Sequence, residues 1–194
     1  MDKRRFLIAG AAALLARPSL AAGPANARTG PALLTVAGAI GRGNRGPLDP
    51  ALDQLLVKHG RSFDKAFEFD AAMLARLPAT TIQPTLEYDA KPHKLSGPLL
   101  AAVVGAAGVA ANAPVTLTLR ALDGYAVGVS LADAQRYRMI VATTLDGVAM
   151  GLGGLGPLWA VYDADRVDDF KDKPLKQRFA LCPWGLYYIE VNAF

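Results

Sequence analysis

GLGGLGPLWAVYD, residues 151–163, spells G-x-G-x-x-G and then runs directly into a proline and an apolar segment. A dinucleotide fingerprint of that spelling needs a strand before its first glycine and a helix opening at its third, so that the helix N-terminus faces the pyrophosphate. Here Pro157 follows Gly156, and the next residues, LWAVY, are aromatic and β-branched. Such residues favour a pleated, half-buried surface over a helix. The motif also lies close to the C-terminus, whereas a fingerprint opens a βαβ unit. The stretch therefore reads as a glycine-rich turn leading into a core strand, and a nucleotide-binding fold is set aside.

Strands are expected on both sides of that turn. Residues 33–40 (LLTVAGAI) read as an opening strand, and Phe63, Phe67 and Phe69 give SFDKAFEFD one aromatic face. Residues 115–121 (VTLTLRA) alternate, Asp123-Gly124 supplies turn residues, and residues 125–129 return as the hairpin partner. Residues 139–144 and the closing LYYIEV are further strands, with an Asp146-Gly147 turn between the first of them and the glycine stretch. Residues 80–83, short and β-branched, are expected to form a buried strand. Helices are expected where caps precede apolar runs: Asp49 with Pro50 at its first position, Asp70 before AAMLARL, Ser96 before GPLLAAVVGAA, and Ser130 before LADAQRY. Gly60 and Gly108 mark helix ends. Strands outnumber helices and mostly follow one another, which predicts an α+β domain with a mixed, barrel-like β core and short peripheral helices.

At 194 residues, 52% hydrophobic and 20% charged, the chain has the length of one domain and enough apolar residues to fold. No repeat or linker divides it. Residues 1–27 read separately: a basic start is followed by FLIAGAAALLA and by small-residue cleavage sites near residues 21 and 27. This is the pattern of an export signal, and its apolar run is too short for a membrane span. Lys3-Arg4-x-Phe6-Leu7 also approaches a twin-arginine signal, so export by either route to the periplasm or medium is expected, leaving residues 28–194 as the mature domain. Removing the signal takes four of the 21 basic and one of the 17 acidic residues, for a mature net charge of +1. Nucleic acid is then no expected partner, since a phosphate footprint needs clustered excess cations.

Several chemistries lack residues to carry them. Cys182 is the only cysteine, so no internal disulfide and no cysteine-based zinc site can form. His59 and His93 are not in a metal-ligand spacing and read as surface or loop residues. The chain has no G-x-S-x-G, Walker loop or H-E-x-x-H.

Taken in order, LLTVAGAI, FEFDAAMLARLPATTI, KLSGPLLAAVVGAAGV, ALDGYAVGVSLADAQRY, IVATTLDG, GPLWAVYD and WGLYYIEV resemble the small secreted members of the molybdopterin-binding oxidoreductase superfamily, whose domain forms the sulfite oxidase fold. The resemblance runs from Leu33 to Val191. In catalytic members a cysteine thiolate binds molybdenum in the segment that here reads TTIQPTLEY, which contains no cysteine. Thiolate ligation has no simple substitute. Cys182 lies in another segment and reads as a buried apolar residue. The resemblance thus implies a non-catalytic, monomeric binding protein whose ligand is a pterin without metal and whose partner, as in some relatives, is a membrane-bound signalling protein. A molybdopterin-dependent oxidoreductase with unusual ligation and a ligand-free interaction scaffold are the alternatives.

A pterin is flat and carries a 2-amino, ring N–H and carbonyl edge. It asks for an aromatic face to stack on and a carboxylate to accept two parallel N–H bonds. Glu87 and Tyr88 stand where relatives place the metal ligand, and Asp123 and Tyr125 flank a hairpin turn. Trp159 and Trp184 occupy the two segments where catalytic relatives hold the cofactor phosphate with basic groups. Each has a plainer reading: Asp123 as a turn residue, Trp159 as core, Trp184 as an anchor of the last strand. The run DADRVDDFKDKPLKQR reads as a solvated loop or, more pointedly, as a partner-binding face.

Overall fold

Val115, Leu117, Leu119 and Ala121 are buried and the residues between them are half-exposed, the period-two pattern of a strand with one covered face. This strand, β5 (Val115–Ala121), turns at Asp123-Gly124 into β6 (Ala126–Ser130), its antiparallel partner. The structure, a computed structural model, describes residues 28–193, so the expected export signal lies outside the described residues.

On its other edge β5 pairs with the closing strand β11 (Leu186–Ala193), which pairs in parallel with the opening strand β1 (Leu34–Gly38). Antiparallel to β1 runs β2 (Ala66–Phe69), completing a mixed five-stranded sheet in the order β2-β1-β11-β5-β6. The first and last described strands thus lie side by side within the sheet. Phe67 and Phe69 form the expected aromatic face of β2, their ring centroids 4.8 Å apart, while Phe63 lies before the strand; the opposite face, Ala66 and Glu68, is buried as well.

A second sheet has the order β3-β4-β8-β9, formed by β3 (Ala79–Ile82), β4 (Leu95–Pro98), β8 (Thr144–Leu145) and β9 (Val148–Ala149). A two-stranded unit joins β7 (Ile140–Ala142) to β10 (Trp159–Val161). The expected α+β class is what the protein has. The barrel-like core is corrected: both larger sheets are open, with β2 and β6 at the edges of one and β3 and β9 at the edges of the other. Closure needs every strand to have two neighbours.

Helices are short and peripheral. Asp70 caps α2 (Ala71–Ala75) by accepting from the Met73 amide at 2.8 Å, and Ser130 caps α4 (Leu131–Arg136) by accepting from Asp133 at 2.9 Å. Both caps follow the sequence expectation. Asp49 caps a separate turn, its carboxylate accepting from the Ala51 and Leu52 amides as expected of an N-cap, and the regular helix begins after that turn, as α1 (Gln54–Lys58). The helix expected from Ser96 also starts late, as α3 (Leu100–Ala106). Residues 95–98 are drawn into β4 by a tertiary contact: an added Cβ on Gly97 would lie 1.9 Å from the Val141 carbonyl. Only a glycine lets β4 cross β7 that closely.

Of residues 80–83, which the sequence predicts to be a buried strand, only Ile82 is buried. β3 is a sheet edge whose first three residues are exposed or half-exposed. The charged run is solvated but anchored, since Phe170 stacks on Tyr162 at 4.6 Å and Phe179 is buried.

Asp70 yields the first expected result. Amides of Met73, Gly30 and Thr29, in that order of effect, hold its carboxyl down at about 2. A group lowered on folding stabilises the fold above its unfolded value and loses that contribution as pH falls through its folded one. The wild-type protein should therefore melt several degrees above Asp70→Ala at pH 6, with the gap closing between about pH 4 and pH 2. Thermal melts across that range check this; a gap unchanged at pH 2 contradicts it.

Candidate ligand-binding cleft

Glu87 and Tyr88 stand at the tip of a loop between β3 and β4. The loop is held by a Thr85–Pro92 bridge, by Leu86 N–H donating to the Lys91 carbonyl at 2.9 Å, and by the buried Leu86 side chain. His93 braces it, between Asp89 at 3.0 Å and Asp146 at 2.7 Å. The hydrogen bonds to Asp89 and then Asp146 raise the imidazole pKa. The loop is thereby tied to the turn between β8 and β9.

Facing it is the turn between β5 and β6. The Asp123 carboxylate accepts from the Tyr125 amide at 2.9 Å, the ordinary bond of an Asx turn, and the Tyr125 hydroxyl donates to the Ala180 carbonyl at 2.7 Å. Tyr125 thus fixes the third wall, the segment before β11. That segment carries Phe179, Cys182 and Trp184.

These pieces enclose a polar chamber of about 310 Å³ lined by Glu87, Tyr88, Asp123, Tyr125, Lys176 and Trp184, with Phe179 and Cys182 also in its walls. Five of the six residues singled out from sequence therefore meet in one chamber. A second chamber of about 680 Å³ adjoins it across Tyr88, Asp123 and Trp184, and its walls are mainly Leu122, Leu152, Leu155 and the backbone of the glycine stretch. Their sizes are those of small-molecule sites.

The sixth residue, Trp159, is elsewhere. It is 1% exposed, packs against Phe179 with centroids 6.1 Å apart, and donates its indole N–H to the Cys182 carbonyl at 2.9 Å. Although its backbone bridges to Trp184, the two side chains differ: Trp184 is 37% exposed and lines both chambers. Residues 158–162 are all buried, so the glycine stretch is a turn before a core strand, as read. It also forms the apolar wall. Gly153 sits at φ +95°, a left-handed conformation that favours glycine in this turn.

The charged side chains of the smaller chamber are Glu87, Asp123 and Lys176. Glu87 makes no ion pair with any described residue. The Tyr88 ring is 55% exposed, but its hydroxyl lies against the Glu87 carboxylate and the Trp184 indole. Burial of that end, followed by the Glu87 charge, pushes its pKa up to about 12, so it keeps its proton at neutral pH. Burial likewise pushes the Cys182 thiol up to about 12. A protonated thiol is neither a nucleophile nor a soft metal ligand. Among the described residues no three His, Cys, Asp or Glu side chains converge on a metal position.

Sequence reasoning did not find Lys176, Phe179 or the leucines of the second chamber. Lys176 belongs to the charged run and Phe179 follows it directly, and the stack of Phe179 on Tyr162 holds this stretch beside the cleft. The chain matches no family model and no curated protein. No described helix is long and apolar enough to cross a membrane.

Proposed function

We propose that the protein is an exported binding protein of the sulfite oxidase type that holds a pterin, or a closely related flat heterocycle, without metal chemistry. The observation that carries this reading is the meeting of an ion-pair-free carboxylate, Glu87, with two half-exposed aromatic rings, Tyr88 and Trp184, at one chamber. Glu87 would accept the parallel N–H bonds of the 2-amino and ring N–H edge. Trp184 and Tyr88 would cover the ring faces, while Lys176 supplies a donor for the carbonyl. The apolar chamber would receive whatever substituent the ring carries.

No proton transfer or covalent step is assigned. The thiol in the wall is protonated, and neither histidine reaches the chamber. The expected role is capture and presentation, in which an occupied cleft differs in surface from an empty one and a membrane-bound partner reads the difference.

Protein purified from its own periplasm tests the reading. On denaturation it is expected to release a blue-fluorescent heterocycle at up to one per chain, identified by mass, with no stoichiometric molybdenum. Stoichiometric molybdenum, or a released molecule with no ring N–H edge, contradicts it.

A further inference from the structure

A different feature lies on another face. Among the described residues β3 is hydrogen-bonded only to β4, which leaves its outer edge open, and four consecutive residues, Thr80 to Gln83, line one side of a groove of about 470 Å³. At roughly 3.3 Å per residue this edge is about 13 Å long. Loops close the end beyond Ile82, where the Gln83 amide donates to Asp163 at 3.4 Å and the Thr85 amide to Asp165 at 2.7 Å.

The opposite wall carries Arg136, Arg138 and Arg166. Arg136 is occupied, bonding Asp133 and Asp169 at 2.9 Å each. Arg138 is exposed and makes no ion pair with any described residue, and its backbone sits at φ +51°, a conformation unfavourable for a side chain of its size. Arg166 is 85% exposed and has only a 3.5 Å contact with Asp163. Two guanidinium groups are thus available across from unpaired strand backbone.

We propose that this groove takes an extended, acidic peptide segment of a partner protein as an added strand on β3. Backbone pairing along the edge would supply register, and carboxylates of the incoming strand would meet Arg138 and Arg166. A free small anion would satisfy the arginines but leave the strand edge unused. A neutral strand would do the reverse. An acidic strand uses both.

The test uses the full exported chain, isotopically labelled, and a capped peptide of alternating glutamate and valine. Titration is expected to shift the amide resonances of Thr80 to Gln83. The lysine-valine peptide is expected to leave them in place, as is a glutamate-valine peptide N-methylated at its pairing amides. Arg138→Glu should weaken binding about tenfold or more. Arg138→Gly suits the left-handed backbone, so a similar loss there, with an unchanged melting temperature, separates lost recognition from lost folding. Four results would overturn the proposal: no shift at millimolar peptide, equal binding of the N-methylated peptide, inorganic phosphate binding as well as the peptide, or Arg138-dependent binding confined to vesicles of anionic lipid.

Discussion

Trp159→Ala is expected to destabilise the fold by about 3–5 kcal/mol, the usual cost of emptying a buried tryptophan site. The side chain is 1% exposed and lies in β10, the core strand that follows the glycine turn, and its removal also leaves the Cys182 carbonyl without its donor. For a domain of this size that corresponds to a fall in Tm of roughly 6–20 °C. Trp184→Ala removes a half-exposed ring from the cleft rim and should leave Tm nearly unchanged. The two tryptophans are equivalent candidates in the sequence. Parallel melts of the two variants distinguish core from site, and equal losses of stability would contradict the division.

The second large effect is on ligand affinity. Glu87→Gln keeps the shape of the side chain but replaces one acceptor oxygen by a donor, which would face a donor of the pterin edge. Hydrogen bonds to a charged partner are worth about 1.5–3 kcal/mol, so binding of a simple pterin should weaken about 10- to 100-fold. Trp184→Ala removes one stacking face, worth about 1–3 kcal/mol for comparable ring systems. Calorimetric titration checks both. Unchanged affinity in Glu87→Gln would place the ring edge elsewhere, and unchanged affinity in Trp184→Ala would remove the ring from the rim.

The elements legible in the sequence are those set by local chemistry. Asp70 and Ser130 cap their helices because a side-chain oxygen reaches an amide three residues on, a bond that needs no other part of the chain. The Asp123-Gly124 hairpin is equally local, and the proline and aromatic residues after Gly156 suffice to exclude a helix there. What the sequence misplaces is decided by distant partners. Ser96 precedes an apolar run and looks like a cap, but Gly97 is pressed against the Val141 carbonyl and the segment becomes a strand. Residues 80–83 have the composition of a buried strand, yet they lie at a sheet edge because no described strand pairs beyond them. Nor does strand content reveal whether sheets close; here they remain open.

The cleft was legible for a different reason. Glu87, Tyr88, Asp123, Tyr125 and Trp184 come from three segments separated by tens of residues, and ordered resemblance rather than spacing linked them. The structure brings them to one chamber. Trp159 belongs to the same ordered resemblance, but it stands in the aromatic and β-branched run after Pro157, which favours the core reading, and it is buried.

The most direct measurement is a titration of a simple oxidised pterin into the purified protein, followed by tryptophan fluorescence. Trp159 is shielded in the core and Trp184 lines the cleft, so stacking should quench the Trp184 share of the emission in a saturable way. Trp184→Phe should abolish that quenching, and Glu87→Gln should shift it to about 10- to 100-fold higher pterin. Absence of saturable quenching in wild-type protein free of bound ligand, or quenching that persists in Trp184→Phe, would contradict a pterin site between Tyr88 and Trp184.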